Sequence, residues 1–498
     1  MRVLMLGWEF PPHISGGLGT ACQGICEGLA AADVDVLFVI PKAFGDESAP
    51  RTQVVGANQV SWRETHTVTK SLPGVRYVRM QARETRSVVP GTAAEPDSER
   101  IEEDAPQSFV EGYWIDSALR PYQNRRTYHE HVETLPGERR SVRLPGGRAT
   151  VDPQELDSEG WRSWCEALAH EAQMRTAEEH AVQEDFAGGY GGDLFGEVAR
   201  YARVVAHLAA QEHFDLVHGH DWMTAPAALA AARTRGVPLV MHAHALERDR
   251  SGNKGDGRVA ALERLGLVEA DRVVCVSHYT AGIVHHDYGV PRDRLRVVHN
   301  AVTQKEQRRE WHTHRRIKEP LVLFLGRVTM QKGPEYFLEA AAQVVKVRPD
   351  VTFVFSGSGD MLPRMIEYSA RLGLARHVHF TGFLRGKDVE RMYAQADVYV
   401  MPSVSEPFGI APLEAMALDV PVILSSQSGV SEVVTHALKV DFWDTRELAN
   451  KMLAILQYQP LRQDLIQSGR EEVRRMRWEA RGSLLRDVYQ ELLAPALH

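Results

Sequence analysis

Met1-Arg-Val-Leu-Met-Leu-Gly7 and Pro320-Leu-Val-Leu-Phe-Leu-Gly326 each run an apolar strand straight into a glycine. A buried parallel strand delivers the chain to the carboxyl edge of a doubly wound sheet in this way, so meeting the pattern twice predicts two Rossmann-like domains. Outward from these openings, short apolar runs recur at Val36 to Ile40, Leu216-Val217, Leu239 to Met241, Val273 to Val276, Phe353 to Phe355, Val398 to Met401 and Val420 to Leu424. Helix-like segments alternate with them at Thr20 to Ala32, Glu197 to Gln211, Pro334 to Val347, Lys387 to Ala394 and Pro412 to Leu418. A βαβα order of this kind implies an α/β protein with parallel sheets.

A chain of 498 residues exceeds what one core sustains, so a cleft between domains is expected. The first domain is assigned to 1–305 and the second to 306–475, with the polar run Gln304 to Lys318 ending the first and linking the two. Arg470 to Leu493 reads as amphipathic helix, which makes 476–498 a C-terminal helical piece. The stretch 42–192, rich in Arg, Glu, Pro and Gly, reads as a polar insertion on the first domain. Its aromatics Tyr113, Trp114, Trp161 and Trp164 fit either satellite packing or a carbohydrate-stacking surface. Glycines flanking Tyr190, and the segment Arg248 to Gly257, predict mobile loops.

Composition narrows the function class. The 58 Lys+Arg against 66 Asp+Glu give a net charge of −8, so no global positive field collects nucleic acid or anionic membrane. Four cysteines, Cys22, Cys26, Cys165 and Cys275, form no CxxC pair and fit a reducing compartment. The first apolar run is too short for a signal-peptide core, and no stretch approaches the ~18 apolar residues of a membrane span, so a cytoplasmic location is expected.

Four constellations carry chemistry. Gly16-Gly17-Leu18-Gly19, between the first strand and its helix, lets backbone approach a phosphate at a helix N-terminus, although a ligand-free βα turn explains it equally well. His218-Gly-His220-Asp221-Trp222 and His242-Ala-His244 follow two strands. Their spacing lacks a metal signature, and polar-substrate contact or packing beside the sheet explains them better. Gly326-Arg327-Val-Thr-Met-Gln-Lys332-Gly333 offers a guanidinium and an ammonium that can neutralise a diphosphate without a metal, against the plainer alternative of a solvated turn. Ser405-Glu406-Pro-Phe408-Gly409-Ile410-Ala-Pro412-Leu-Glu414 places two carboxylates eight residues apart across a turn and a helix start.

Together these resemble the retaining glycosyltransferases of GT-B architecture, in particular glycosyltransferase family 4 and the related glycogen and starch synthases. Glu406 to Glu414 is similar to the E-x7-E motif of those enzymes. Supporting matches are Gly16-Gly17-Leu18, His220-Asp221-Trp222, Val297-Val298-His299-Asn300-Ala301, Gly326-Arg327 with Lys332, and Ser428-Gly429-Val430-Ser431-Glu432.

The resemblance implies two Rossmann-like doubly wound domains facing a cleft, the first on the acceptor side and the second binding nucleotide sugar. By matching position, Arg327 and Lys332 hold the donor diphosphate and Gly17 closes on it. Glu414 takes the ribose hydroxyls, while Glu406 with the Phe408-Gly409-Ile410 backbone takes those of the donor sugar. His244 lies near the reacting carbon, Asp221 nearer the acceptor, and Leu384, within Gly382 to Arg385, beside the base. The C-terminal helix crosses back onto the first domain.

The activity so implied is hexose transfer, most simply of glucose from UDP-glucose or ADP-glucose, with retention, without a cofactor and without a required metal. The leaving diphosphate is then stabilised electrostatically. Starch synthases and bacterial glycogen synthases carry lysine where this chain has Ile14, which leaves the donor base open. His242 to Gly252 is more similar to family 4 enzymes, including sucrose-phosphate synthases. Three readings stand: synthesis of an α-glucan chain, transfer to a small acceptor such as a sugar phosphate or glycolipid precursor, and a nucleotide-sugar-binding protein without catalysis.

Overall fold

The computed structural model describes residues 1–12, 17–43, 45–57, 152–173, 194–252, 255–303 and 317–494, together with the backbone alone of 63–65, 142–143, 150–151 and 179–181. Two lobes each form around a wholly parallel sheet.

The front lobe's strands are β1 (Arg2–Leu6), β2 (Asp35–Ile40), β3 (Thr52–Gly56), β4 (Leu216–His220), β5 (Leu239–Ala243), β6 (Arg272–Cys275) and β7 (Leu295–Val297). They lie in the order β7-β6-β5-β4-β1-β2-β3. The order reverses between β1 and β4, the switch point at which open α/β sheets bind ligands. Its helices are α1 (Gly17–Ala31), α2 (Ser158–Gln173), α3 (Leu194–Gln211), α4 (Asp221–Arg235), α5 (Glu247–Ser251), α6 (Gly257–Glu269) and α7 (His278–Tyr288). Six alanines make α4 thin, so it is buried from Asp221 to Ala232, with α3 on one side and the sheet on the other.

The rear lobe carries β8 (Leu321–Leu325), α8 (Pro334–Val347), β9 (Thr352–Ser356), α9 (Leu362–Arg371), β10 (Val378–Gly382), α10 (Lys387–Gln395), β11 (Val398–Met401), α11 (Ala411–Ala417), β12 (Val422–Ser425) and β13 (Leu438–Val440). Its order, β10-β9-β8-β11-β12-β13, repeats the front lobe's pattern, with the switch point between β8 and β11. The chain continues through α12 (Thr445–Gln457), α13 (Gln459–Arg475) and α14 (Trp478–Leu493).

Three findings amend the sequence reading. Part of the stretch 42–192 is not an insertion: β3 pairs in register with β2. Trp161 and Trp164 of α2, 1% and 3% exposed, belong to the front-lobe core rather than to a sugar-stacking surface. Tyr113, Trp114 and the Tyr190 glycines lie outside the described residues. The run Arg470 to Leu493 is two helices, not one. At the break, the Met476 carbonyl accepts the Val302 N–H at 3.3 Å and the chain passes back to the front lobe.

There α14 lies along α1 so closely that glycines are required. A Cβ on Gly24 would stand 2.0 Å from the Trp478 ring, and one on Gly28 2.2 Å from the Trp478 carbonyl oxygen. Trp478, Leu485, Val488 and Tyr489 then complete a core shared with α1 and the underside of the sheet.

Candidate functional site

In the rear lobe, β8 ends at Leu325 and hands the chain to Arg327, whose guanidinium donates to the Gln331 side chain at 3.2 Å. The short turn Met330–Lys332 then closes on Gly333, which has φ +62° and whose Cβ, if present, would lie 2.1 Å from the Pro402 carbonyl oxygen. Only glycine permits that approach. It brings Lys332 beside the end of β11, where its ammonium pairs with the Glu406 carboxylate. Ser403 donates to the same carboxylate at 3.2 Å.

Glu406, 6% exposed, would be costly to bury without these partners. Its backbone is tied as well: its N–H donates to the Gln427 carbonyl at 3.1 Å, and its own carbonyl accepts the Gly429 N–H at 2.9 Å. Phe408 is buried, Gly409 turns at φ +94°, and Pro412 opens α11. Glu414 falls in the first turn of that helix, where the Tyr393 hydroxyl reaches it at 3.5 Å. Leu384 follows β10, half-buried, beside an exposed Phe383 on which the Arg385 guanidinium lies at 5.4 Å.

In the front lobe, Gly17 opens α1 and is exposed. Gly16 lies outside the described residues. Two residues beyond Gly17, the Gly19 N–H donates to Glu9 at 3.2 Å, a carboxylate at a helix N-terminus. His244 follows β5, and its Nε2 is 2.8 Å from His220 Nδ1. Asp221 opens α4 with φ +57° and is 6% exposed. Its Oδ1 accepts the backbone N–H groups of His244 at 2.7 Å and Ala245 at 3.3 Å, and Arg250 stands 3.8 Å from its Oδ2. Asp221 therefore anchors the loop that presents His244.

Behind His244 lies a file of rings. His218 and His242 are within 6° of parallel at 5.3 Å, and His242 and His244 within 23° at 4.1 Å. Burial keeps them neutral, pushing His218 down to about 3 and lowering His220, His242 and His244 as well. His218 Nδ1 is 2.6 Å from the Tyr489 hydroxyl on α14.

Among the described residues, two groups offer metal-ligating atoms within 4.8 Å of one another: His218, His220 and His242, and His278, His299 and Glu432. In the first, near-parallel rings aim their in-plane lone pairs alongside one another rather than at one point, which suits packing better than coordination. In the second, both Glu432 oxygens already accept N–H donors, from His278 at 2.9 Å and Tyr279 at 2.7 Å.

The two lobes meet on this side. Ile410 packs against the front-lobe core that contains Leu18, next to Gly17. The turn at Lys332 lies against α5. Residues to which the sequence reading gave no role hold the contact: Asp249, Tyr279 and Ser405. Asp249 and Ser405 stand inside quoted motifs, but nothing local says that they meet.

The chain matches family models described as glycosyl transferases group 1 over residues 306–472, Glycosyltransferase Family 4 over 164–306 and starch synthase catalytic domain over 2–100. An uncharacterized glycosyltransferase of Methanocaldococcus jannaschii is 33% identical over 238 residues, 45% of this chain and 61% of that protein. D-inositol 3-phosphate glycosyltransferase of Salinispora arenicola is 30% identical over 334 residues, 61% of this chain and 74% of that one. Among solved structures, sucrose-phosphate synthase from Thermosynechococcus elongatus aligns over 99% of both chains, with a TM-score of 0.64 at 17% identity. Anabaena HepE in complex with UDP-glucose aligns over 59% of this chain and 82% of that one, with a TM-score of 0.52 at 21% identity.

Proposed function

Because the chain belongs to the GT-B glycosyltransferases related to the glycogen and starch synthases, we propose that it moves a hexose, glucose from UDP-glucose or ADP-glucose, onto a saccharide acceptor with retention of configuration. The observation that carries this reading is the buried pairing of Lys332 with Glu406 at the rear-lobe switch point, with Glu414 eight residues on in the first turn of α11.

Cleaving a sugar–phosphate bond leaves positive charge on the sugar and negative charge on the diphosphate. Arg327 and Lys332, both half-buried, would meet that negative charge as it develops, where it is worth most. Glu406 would then exchange part of its bond to Lys332 for sugar hydroxyls, and Glu414 would take the ribose. His244, neutral and held at Nε2 by His220, would face the sugar without adding a second positive charge. The acceptor hydroxyl attacks the anomeric carbon from the leaving-group face and passes its proton to a phosphate oxygen, which preserves the anomeric configuration.

Incubation with labelled UDP-glucose or ADP-glucose and an acceptor panel, followed by product sizing, tests the reading. Polymer supports a glucan acceptor, and no transfer from any nucleotide sugar overturns the activity. A second reading, transfer to a small phosphorylated acceptor, draws on the similarity to enzymes named for D-inositol 3-phosphate and for sucrose phosphate. A single-sugar adduct selects it.

A further inference from the structure

Asp249 is 2% exposed yet sits on the five-residue helix α5, too short to bury a carboxylate by itself. One oxygen is used at home, accepting the Leu246 N–H at 2.9 Å. The other accepts the hydroxyl of Ser405, from the opposite lobe, at 2.6 Å. Since Ser405 spends its proton on Asp249, its oxygen is left to accept the Tyr279 hydroxyl at 2.9 Å. Tyr279 in turn belongs to the first turn of α7, whose His278 and Tyr279 N–H groups are capped by Glu432 of the rear lobe. One serine hydroxyl thus joins two front-lobe side chains, and the residue after it is Glu406.

We propose that Asp249 and Tyr279 of the front lobe are positioning residues for Glu406, acting through the Ser405 hydroxyl. The rear lobe holds the Glu406 backbone through Gln427 and Gly429, and two residues earlier the Gln331 carbonyl accepts the Val404 N–H at 2.9 Å. Between these rear-lobe ties, Ser405 is fixed by front-lobe side chains, and that bond exists only while α5 and α7 are engaged. The donor-sugar carboxylate is consequently set by the acceptor-side lobe, and a rear lobe that has lost this contact holds Glu406 less well aimed. The inference rests on the reading of Glu406 as a donor-sugar contact.

The test compares Ser405→Ala, Asp249→Ala, Asp249→Asn and the Ser405→Ala/Asp249→Ala double variant of the full chain. Steady-state transfer from UDP-glucose or ADP-glucose gives kcat and KM, and thermal melting checks the fold. Each alanine variant is expected to lower kcat about tenfold to a hundredfold with donor KM changed less than about threefold, the size of loss that small misplacement causes. The double variant should be no worse than the poorer single one, because both cut the same bond.

Asp249→Asn keeps both links, its Oδ1 accepting the Leu246 N–H and its Nδ2 donating to the Ser405 oxygen, and should return to within about threefold of the parent rate. Ser405→Ala leaves the Leu246 bond of Asp249 intact, so it separates positioning from any folding defect of Asp249→Ala. Wild-type kcat in Ser405→Ala, additive losses in the double variant, or Asp249→Asn as poor as Asp249→Ala would each overturn the proposal. A parent protein inactive toward every nucleotide sugar would overturn the underlying reading instead.

Discussion

The two lobes repeat one strand order but differ in how they are finished and in what they place at their switch points. One face of the rear sheet is closed by the rear lobe's own elements, from Val322 to Leu465, and the other takes in only Val276 and Val302 from the front lobe. The front lobe borrows Trp478, Leu485, Val488 and Tyr489 from the far end of the chain. At the rear switch point stands an ion pair, Lys332 with Glu406; at the front one stands a file of neutral imidazoles backed by a tyrosine. Shared topology therefore places the two sites without deciding their electrostatics. That choice is made by a few residues in the loops after the strands.

The contrast in completeness predicts the largest effect. Trp478→Ala empties the wedge between α1 and α14 and should lower stability by about 3–5 kcal/mol, read by urea unfolding. A loss below about 1 kcal/mol would make α14 an accessory rather than part of the front-lobe core.

Next comes the rear switch point. Glu406→Gln keeps an acceptor for Lys332 but removes the charge, and transfer should fall by about 10²–10³ with the fold unchanged by circular dichroism. An unchanged rate would cost the rear lobe its assigned part in the chemistry.

The neutral front site answers to pH. The folded values of His218, His220, His242 and His244 lie below the ~6.5 of the unfolded chain, so beneath that pH the unfolded state binds more protons. Their contribution is complete above ~6.5 and lost progressively as the solution is acidified. Glu263, raised to about 7 by burial, works oppositely, holding an extra proton when folded and losing that advantage as pH rises through 7. Histidines outnumber it, so unfolding free energy should drop by at least about 2 kcal/mol from pH 7 to pH 5. A flat profile would mean that the stacked rings are not neutral in the folded state.

The smallest effect falls where the lobes' two differences meet. Tyr489→Phe removes the partner of His218 and should cost about 1–2 kcal/mol in the same unfolding assay, with transfer unaltered. A larger loss would show that the hydroxyl organises the whole file.

Much of this was legible beforehand, for a physical reason. Parallel strands buried on both faces are continuous apolar runs, and the turns after them need glycine or proline, so strand ends and motif loops announce themselves locally. Pro334 to Val347 coincides with α8 and Leu321 to Leu325 with β8. The edge strands β10, β13 and β7 went unseen because half-exposed edges dilute the apolar signal with residues such as His379, Lys439 and Arg296. Trp161 and Trp164 gave no sign of joining the core across a polar stretch. Asp221, expected at the acceptor side, stands in a motif that the sequence displays, but its two bonds to the His244 loop left no trace there. Partners such as His218 and Tyr489, 271 residues apart, leave no mark in local pattern.

The hydrogen bond from Val302 to the Met476 carbonyl sets the two covalent crossings between lobes side by side. Two tethers far apart would have braced the halves against each other in every direction. Adjacent ones fasten a single edge and leave the rest of the alignment to the bonds of Asp249, Tyr279 and Glu432, next to which the Glu406 loop lies.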